Sequence, residues 1–215
     1  MSIVYSLSFG TLVRVFCGRV AEVLEMTGRG ISLSGEGHLL MFGSISRAFH
    51  GWALTEAGHR DEGIEEIRQG IRGMEAAGCF FIRSMSRSML ARIHIEDGAI
   101  DAARRELDTA IDEIQGGERL FAPEVYRVRA LLAHASGNTA EARVLLDRSA
   151  EIARAMGALS YELRTAITRT EIERSVGRSN GYLARAASDL RSVYDRFTEG
   201  FDTDDLRKAA ALLRE

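Results

Sequence analysis

Residues 51–67 read Gly51-Trp-Ala-Leu-Thr-Glu-Ala-Gly58-His-Arg-Asp-Glu-Gly63-Ile-Glu-Glu-Ile67, and this stretch decides the fold. An apolar helical run stops at Gly58, the residue type that supplies left-handed backbone past a helix end, and a second run starts within a few residues. The arrangement recurs at Gly98, Gly137 and Gly177, spaced 40, 39 and 40 residues apart. Counting back 40 from Gly58 reaches Gly18. A second ladder, Gly78, Gly117 and Gly157, lies between the rungs of the first. Seven residues before the four turn glycines stand Gly51, Ala91, Ala130 and Thr170, all small. Five residues after the first three stand Gly63, Ala103 and Ala142, and nine after stand Ile67, Leu107 and Leu146. Small residues on facing helices permit close approach, and one large aliphatic fills the space between them. Each period therefore holds two helices and two turns, the mark of an array of helical hairpins. Within residues 61–77, Ile64, Ile67, Ile71 and Met74 form one apolar helical face.

Composition agrees. The chain has 215 residues, which suits one compact domain or one short array. A single proline, Pro123, stands where average usage of about 5% would give roughly eleven, so helix is expected nearly throughout. The 46% hydrophobic and 27% charged fractions exclude a disordered chain. The expected fold is all-α, a right-handed superhelix of antiparallel helix pairs with a period of about 40 residues. Its segments are a partial N-terminal helical pair over 1–37, repeats over 38–78, 79–117, 118–157 and 158–200, and a capping helix over 201–215. Asp202-Thr203-Asp204-Asp205 reads as the N-cap and acidic first turn of that last helix. From Gly177 to Ala186 is nine residues rather than five, so a longer exposed loop is expected around Ser179-Asn-Gly181.

The small–x–large pattern resembles the tetratricopeptide repeat, although the period is 40 rather than 34, the repeat-ending proline is absent and the signature aromatics are mostly missing. The chain also resembles the helical C-terminal region of bacterial nucleotide-cyclase/ATPase and LuxR-type multidomain signalling proteins. The runs that carry this are Gly51 to Gly58, Gly63-Ile-Glu-Glu-Ile-Arg-Gln-Gly-Ile71 and, most specifically, Val193-Tyr-Asp-Arg-Phe-Thr-Glu-Gly-Phe-Asp-Thr-Asp-Asp-Leu206. The likeness covers residues 38 to 215 well and the first 37 weakly. It implies a partner-facing, signal-relaying module and transfers no catalytic residue.

Sites for chemistry are not evident. The string Gly28-Arg-Gly-Ile-Ser-Leu-Ser-Gly-Glu-Gly37 lacks the lysine of a phosphate-binding loop and reads as an inter-helix turn. The histidines, His38, His50, His59, His94 and His134, form no metal-binding pair. His94 and His134 occupy neighbouring repeat positions, where a partly buried, hydrogen-bonded imidazole is the plainer reading. Ser34 lacks the strand-to-helix setting of a nucleophile elbow. Cys17 and Cys79 read as two buried thiols in a reducing compartment. No catalytic residue, cofactor or metal is expected, and the chain reads as no enzyme. A net charge of −3, with acids among the arginines as in Asp101-Ala-Ala-Arg-Arg-Glu106, offers no basic footprint, so no nucleic acid is expected. The apolar N-terminus lacks a basic n-region, and Arg14 and Arg19 interrupt it short of a membrane span. The expectation is a cytoplasmic protein without membrane contact.

First-helix positions of a tetratricopeptide-like hairpin place Trp52, Met85, Arg92, Arg127, His134, Arg164, Glu171 and Arg174 along a concave groove. One tryptophan among arginines is a mixture enriched at binding hot spots. Packing of Trp52 between repeats and solvation of the arginines is the plain alternative. The leading expectation is a non-catalytic protein-interaction module, free-standing or attached to upstream domains. The rival is a sensor holding a small anionic ligand in the arginine-bearing groove. Ile3, Val4, Tyr5, Leu7 and Phe9 are dense apolar residues where a terminal repeat needs a polar face, so this end is expected to contact a second copy, another protein or an upstream domain. The competing account folds these side chains back onto the second helix, near Val20, Val23 and Leu24.

Overall fold

A computed structural model describes residues 2–34, 40–177 and 181–214, with side chains from Phe9 onward. Among the described residues there are eleven α-helices and no strand. They are α1 (Ser2–Phe16), α2 (Val20–Ser34), α3 (Leu40–Glu56), α4 (Arg60–Ala76), α5 (Arg83–Glu96), α6 (Ile100–Gln115), α7 (Ala122–Ala135), α8 (Thr139–Ala155), α9 (Leu159–Val176), α10 (Gly181–Tyr194) and α11 (Asp204–Leu212). Both glycine ladders mark the turns. Gly18, Gly58, Gly98, Gly137 and Gly177, and Gly78, Gly117 and Gly157 between them, all have φ between +64° and +125°, backbone that an L side chain rarely adopts. The fold is all-α and tetratricopeptide-like. The chain divides into two compact units, residues 1–90 and 91–215.

The first unit holds α1 to α4 and the start of α5. Its tightest pair is α3 against α4, and the reason is the small-residue pattern. A Cβ on Gly51 would lie 2.4 Å from the Gly63 carbonyl oxygen, and one on Gly70 would lie 2.6 Å from that of Ser44. Ile67 Cγ1 reaches within 2.7 Å of that Gly51 Cβ position, and Phe49, Ile67 and Met74 of the two helices are fully buried. Residues 1–37 contribute two helices of 15 residues each. The string Gly28 to Gly37 is not the expected turn, because α2 continues to Ser34. Gly30 is buried in that helix, where a Cβ would meet Ser46 Oγ of α3 at 2.5 Å, so its glycine serves packing rather than turning. Residues 35–37 of the string, like His38, lie outside the described residues.

In the second unit the predicted small positions are buried throughout: Ala91 with Ala103, Ala130 with Ala142, and Thr170 with Ala186. Leu107 and Leu146 fill the corresponding cores. Leu163, Ile167 and Leu190 pack on Leu206 and Ala209, so α11 covers the end of α9 and α10. Its N-cap residue is Thr203, whose hydroxyl donates to the Gly200 carbonyl at 2.8 Å and does not cap the helix. α9 ends at Val176 and α10 starts at Gly181, so the expected long loop around Ser179 and Asn180 lies outside the described residues. The same holds for the side chains of Ile3, Val4, Tyr5 and Leu7, while Phe9 is 40% exposed.

Candidate functional site

The first helices of the second unit's repeats, α7 and α9, together with α11, carry a ladder of charged and polar side chains. Its centre is Glu124, in the first turn of α7, directly after Pro123. Both carboxylate oxygens of Glu124 accept from Arg127, at 2.6 and 2.9 Å, a bidentate pair one helical turn apart. Arg127 then donates through Nη1 to Thr168 Oγ1 on α9 at 3.0 Å. From α9, Arg164 Nε donates to Asp205 on α11 at 2.6 Å. Lys208 of α11 pairs with Glu171 of α9 at 2.7 Å. Arg174 donates to the Leu212 carbonyl at the end of α11, meeting one of that helix's orphan acceptors. His134 spans Thr139 Oγ1 at 3.1 Å and Ser175 Oγ at 3.0 Å.

The electrostatics centre on Glu124. Burial pushes its carboxyl toward the neutral form, yet the Arg127 charge and hydrogen bonds, with Arg164 and Arg92 beyond, hold it down at about 2. Burial likewise opposes the charge on Arg127, and Glu124 outweighs it, so Arg127 is more firmly protonated than a free guanidinium. Nearby, burial and then the negative Glu124 keep the Tyr161 phenol neutral far above its ordinary range. A second buried carboxylate, Glu173, is 2% exposed at its side chain and accepts from Arg143 at 2.7 and 2.8 Å. The Arg143 guanidinium lies over the Tyr182 ring, 4.0 Å from its centroid. These groups form a series of ion pairs and hydrogen bonds that link α7 to α9 and α9 to α11, with Glu173 joining α9 to α8 through Arg143. The hydroxyl–imidazole contact of Ser175 with His134 is its one nucleophile-like pair among the described contacts, and the other imidazole nitrogen faces the Thr139 hydroxyl rather than a carboxylate. No cluster of His, Cys, Asp or Glu among the described residues is suited to a metal.

Of the eight groove positions read from sequence, Arg127, Arg164, Glu171, Arg174 and His134 lie on this ladder, and Arg92 adds its charge toward Glu124 while donating to Glu96 at 2.8 Å. Trp52 and Met85 belong to the first unit. Trp52 is half-buried, and Met85 is buried at 2% exposure, so it lines no open surface. The arginines are engaged by carboxylates or carbonyl oxygens of the chain itself, not left to solvent. Sequence reasoning missed Glu124, Thr168, Asp205 and Lys208. The signal was present in the offsets, since 127 to 168, 164 to 205 and 134 to 175 are all 41 residues. His94 is buried, Cys79 is buried, and Cys17, expected to be buried, is half-buried because it lies at the end of α1.

No family model matches the chain, and no curated protein matches it in sequence. Among solved structures it is similar to PlcR of Bacillus thuringiensis, crystallised in complex with the peptide PapR7 and DNA. That likeness has 11% identity and a TM-score of 0.77, and covers 99% of this chain and 74% of that one. A tetratricopeptide repeat protein from Parabacteroides merdae aligns over 96% of this chain and 84% of its own, at 12% identity and a TM-score of 0.46, too low to weigh. Identity this low speaks to fold alone. The expectation of no nucleic-acid partner finds no support in these comparisons. No helix among the described residues is long and apolar enough to cross a membrane.

Proposed function

We propose that the chain is a non-catalytic, protein-binding module of a regulatory system, with the α7–α9–α11 face as its partner surface. The observation that carries this reading is the ladder itself. Arg127 to Thr168, Arg164 to Asp205 and Lys208 to Glu171 tie successive elements together, so the face is rigid before any partner arrives. Tetratricopeptide-like arrays offer such faces to extended peptides, and PlcR, similar in fold, was crystallised with a peptide. The similarity of Val193 to Leu206 to cyclase/ATPase and LuxR-type signalling proteins supports the same class and suggests attachment to upstream domains. The rival, an anionic-ligand sensor, is weakened by the internal pairing of the arginines.

The test is selection of peptides from a display library on the immobilised full chain. Selected peptides should bind with a Kd in the micromolar range, about −8 kcal/mol. The single charge reversals Lys208→Glu and Glu171→Lys should each weaken them at least about tenfold while helicity is unchanged. Binders indifferent to both reversals would remove the surface assignment. Failure to select any binder would remove the module reading.

A further inference from the structure

The first unit contains a cavity of about 210 Å³ that the proposed partner surface does not use. Phe9 and Leu12 of α1 form one wall, and Phe42 and Ile45 of α3 a second. Cys79 and Ile82, from the turn leading out of α4, close the third. Met41 and Phe81 complete the lining, which is apolar throughout. The Cys79 thiol donates to the Phe81 carbonyl oxygen at 3.6 Å, so its proton is directed away from an occupant. Phe9 and Phe81 pack with ring centroids 5.9 Å apart, and the exposure of Phe9 puts this pair at the rim, next to solvent.

One backbone feature sets this turn apart. Ile82 has φ +71°, and among the described residues it is the only non-glycine with positive φ. For a β-branched side chain that conformation is a true outlier, held only where the surroundings over-determine it. The next repeat provides the control. Phe121 stands four residues past Gly117, as Ile82 stands four past Gly78, and has φ −104°. The strain is therefore not demanded by the repeat. The Ser86 amide and hydroxyl both grip the Ile82 carbonyl, at 2.9 and 3.0 Å, and the side chain is 2% exposed. The backbone is held in a costly conformation whose effect is to set Ile82 into the cavity wall.

We propose that this cavity binds one small uncharged apolar group, an aromatic ring or a compact hydrocarbon of about six to ten carbons. Water has no polar lining side chain to bond there, and a charged ligand would lose its hydration without compensation. Size sets the other limit: an engineered, enclosed apolar cavity of about 150 Å³ binds benzene, so a 210 Å³ pocket open to solvent at its Phe9 rim admits one ring with substituents rather than a folded peptide segment. Met41 and the phenyl rings can shift to fit outlines of similar volume.

The test uses the full chain with labelled isoleucine methyl groups, titrated with toluene and, separately, with phenol. Toluene should shift the Ile45 and Ile82 methyl signals saturably with a Kd below about 1 mM, leaving Ile152 and Ile172 of the second unit unmoved. Phenol, which must strip its hydroxyl of water, should bind at least about tenfold more weakly. Filling the space with Ile45→Phe, or independently from the other wall with Leu12→Phe, should weaken toluene binding at least about tenfold, with helicity by circular dichroism certifying the fold. Shifts that never saturate, or toluene affinity unchanged in a folded filled variant, would overturn the proposal. So would Ile45 and Ile82 signals that follow protein concentration instead of toluene, which assigns the cavity to a second copy of the chain.

Discussion

Replacing Glu124 with glutamine keeps shape and one acceptor opposite Arg127 but deletes the charge, which isolates the electrostatic contribution of the buried pair. The Glu124 carboxyl, ordinarily near 4.5, is held at about 2. At about 1.4 kcal/mol per pH unit of depression, its ionised form stabilises the folded chain by about 3 kcal/mol at neutral pH. The sign follows from a folded-state value below the unfolded one. The contribution is fully present above pH 4.5, falls by more than half by about pH 3, and is nearly gone at about pH 2. Glu124→Gln should therefore lose about 3 kcal/mol at pH 7, and its deficit against the parent should shrink on acidification. Urea unfolding by circular dichroism at pH 7 and pH 3 measures the gap. Hydrogen exchange of the α7 and α9 amides localises it. A variant within about 1 kcal/mol of the parent at pH 7, or a deficit unchanged at pH 3, would refute the view that the arginines around Glu124 outweigh its burial.

The other expectations concern the packing and the turns. Gly51→Ala forces a methyl group against the Gly63 carbonyl oxygen, so despite better helix propensity it should cost about 1–3 kcal/mol, read from the urea midpoint by Trp52 fluorescence. A double-mutant cycle on Arg164 and Asp205 should give a coupling of about 1–2 kcal/mol, with α11 amides exchanging faster in either single alanine variant. Gly98→Ala, at φ +71°, should cost about 1–2 kcal/mol, and Gly98→Asn less, in parallel urea titrations.

What the sequence disclosed and what it withheld differ in physical kind. The turn glycines and the small and large positions follow chain-local rules, helix termination and helix–helix contact, and they repeat; Gly58, Ala91, Ala103 and Leu107 were legible for that reason. Arg127 and Arg164 were placed on the first-helix face by the resemblance to a tetratricopeptide-like hairpin. Their partners were not, because Thr168 and Asp205 lie 41 residues away and are chosen by helix register rather than by neighbours in sequence. Glu124 was hidden differently: an acid beside a helix-starting proline looks like an ordinary first-turn charge. Gly30 misled because glycine serves two ends, and only the contact with Ser46 reveals which. The strain at Ile82 had no signature at all, since isoleucine is the last residue expected there.

That double use of glycine separates by handedness. At Gly58, Gly98, Gly137 and Gly157 a Cβ would meet nothing within 4 Å; those sites refuse L-residues through φ alone. A mirror-image residue prefers that region of backbone space. Chemically made versions of the chain carrying D-alanine at these turns should fold at least as firmly as the parent, because the unfolded chain loses freedom while the native turn keeps its shape. Gly51, Gly63 and Gly70 lie inside right-handed helices with backbone atoms against the Cβ position, so neither enantiomer fits. Glycine in this array is thus two residues under one letter, and a chirality scan would tell them apart where an alanine scan cannot.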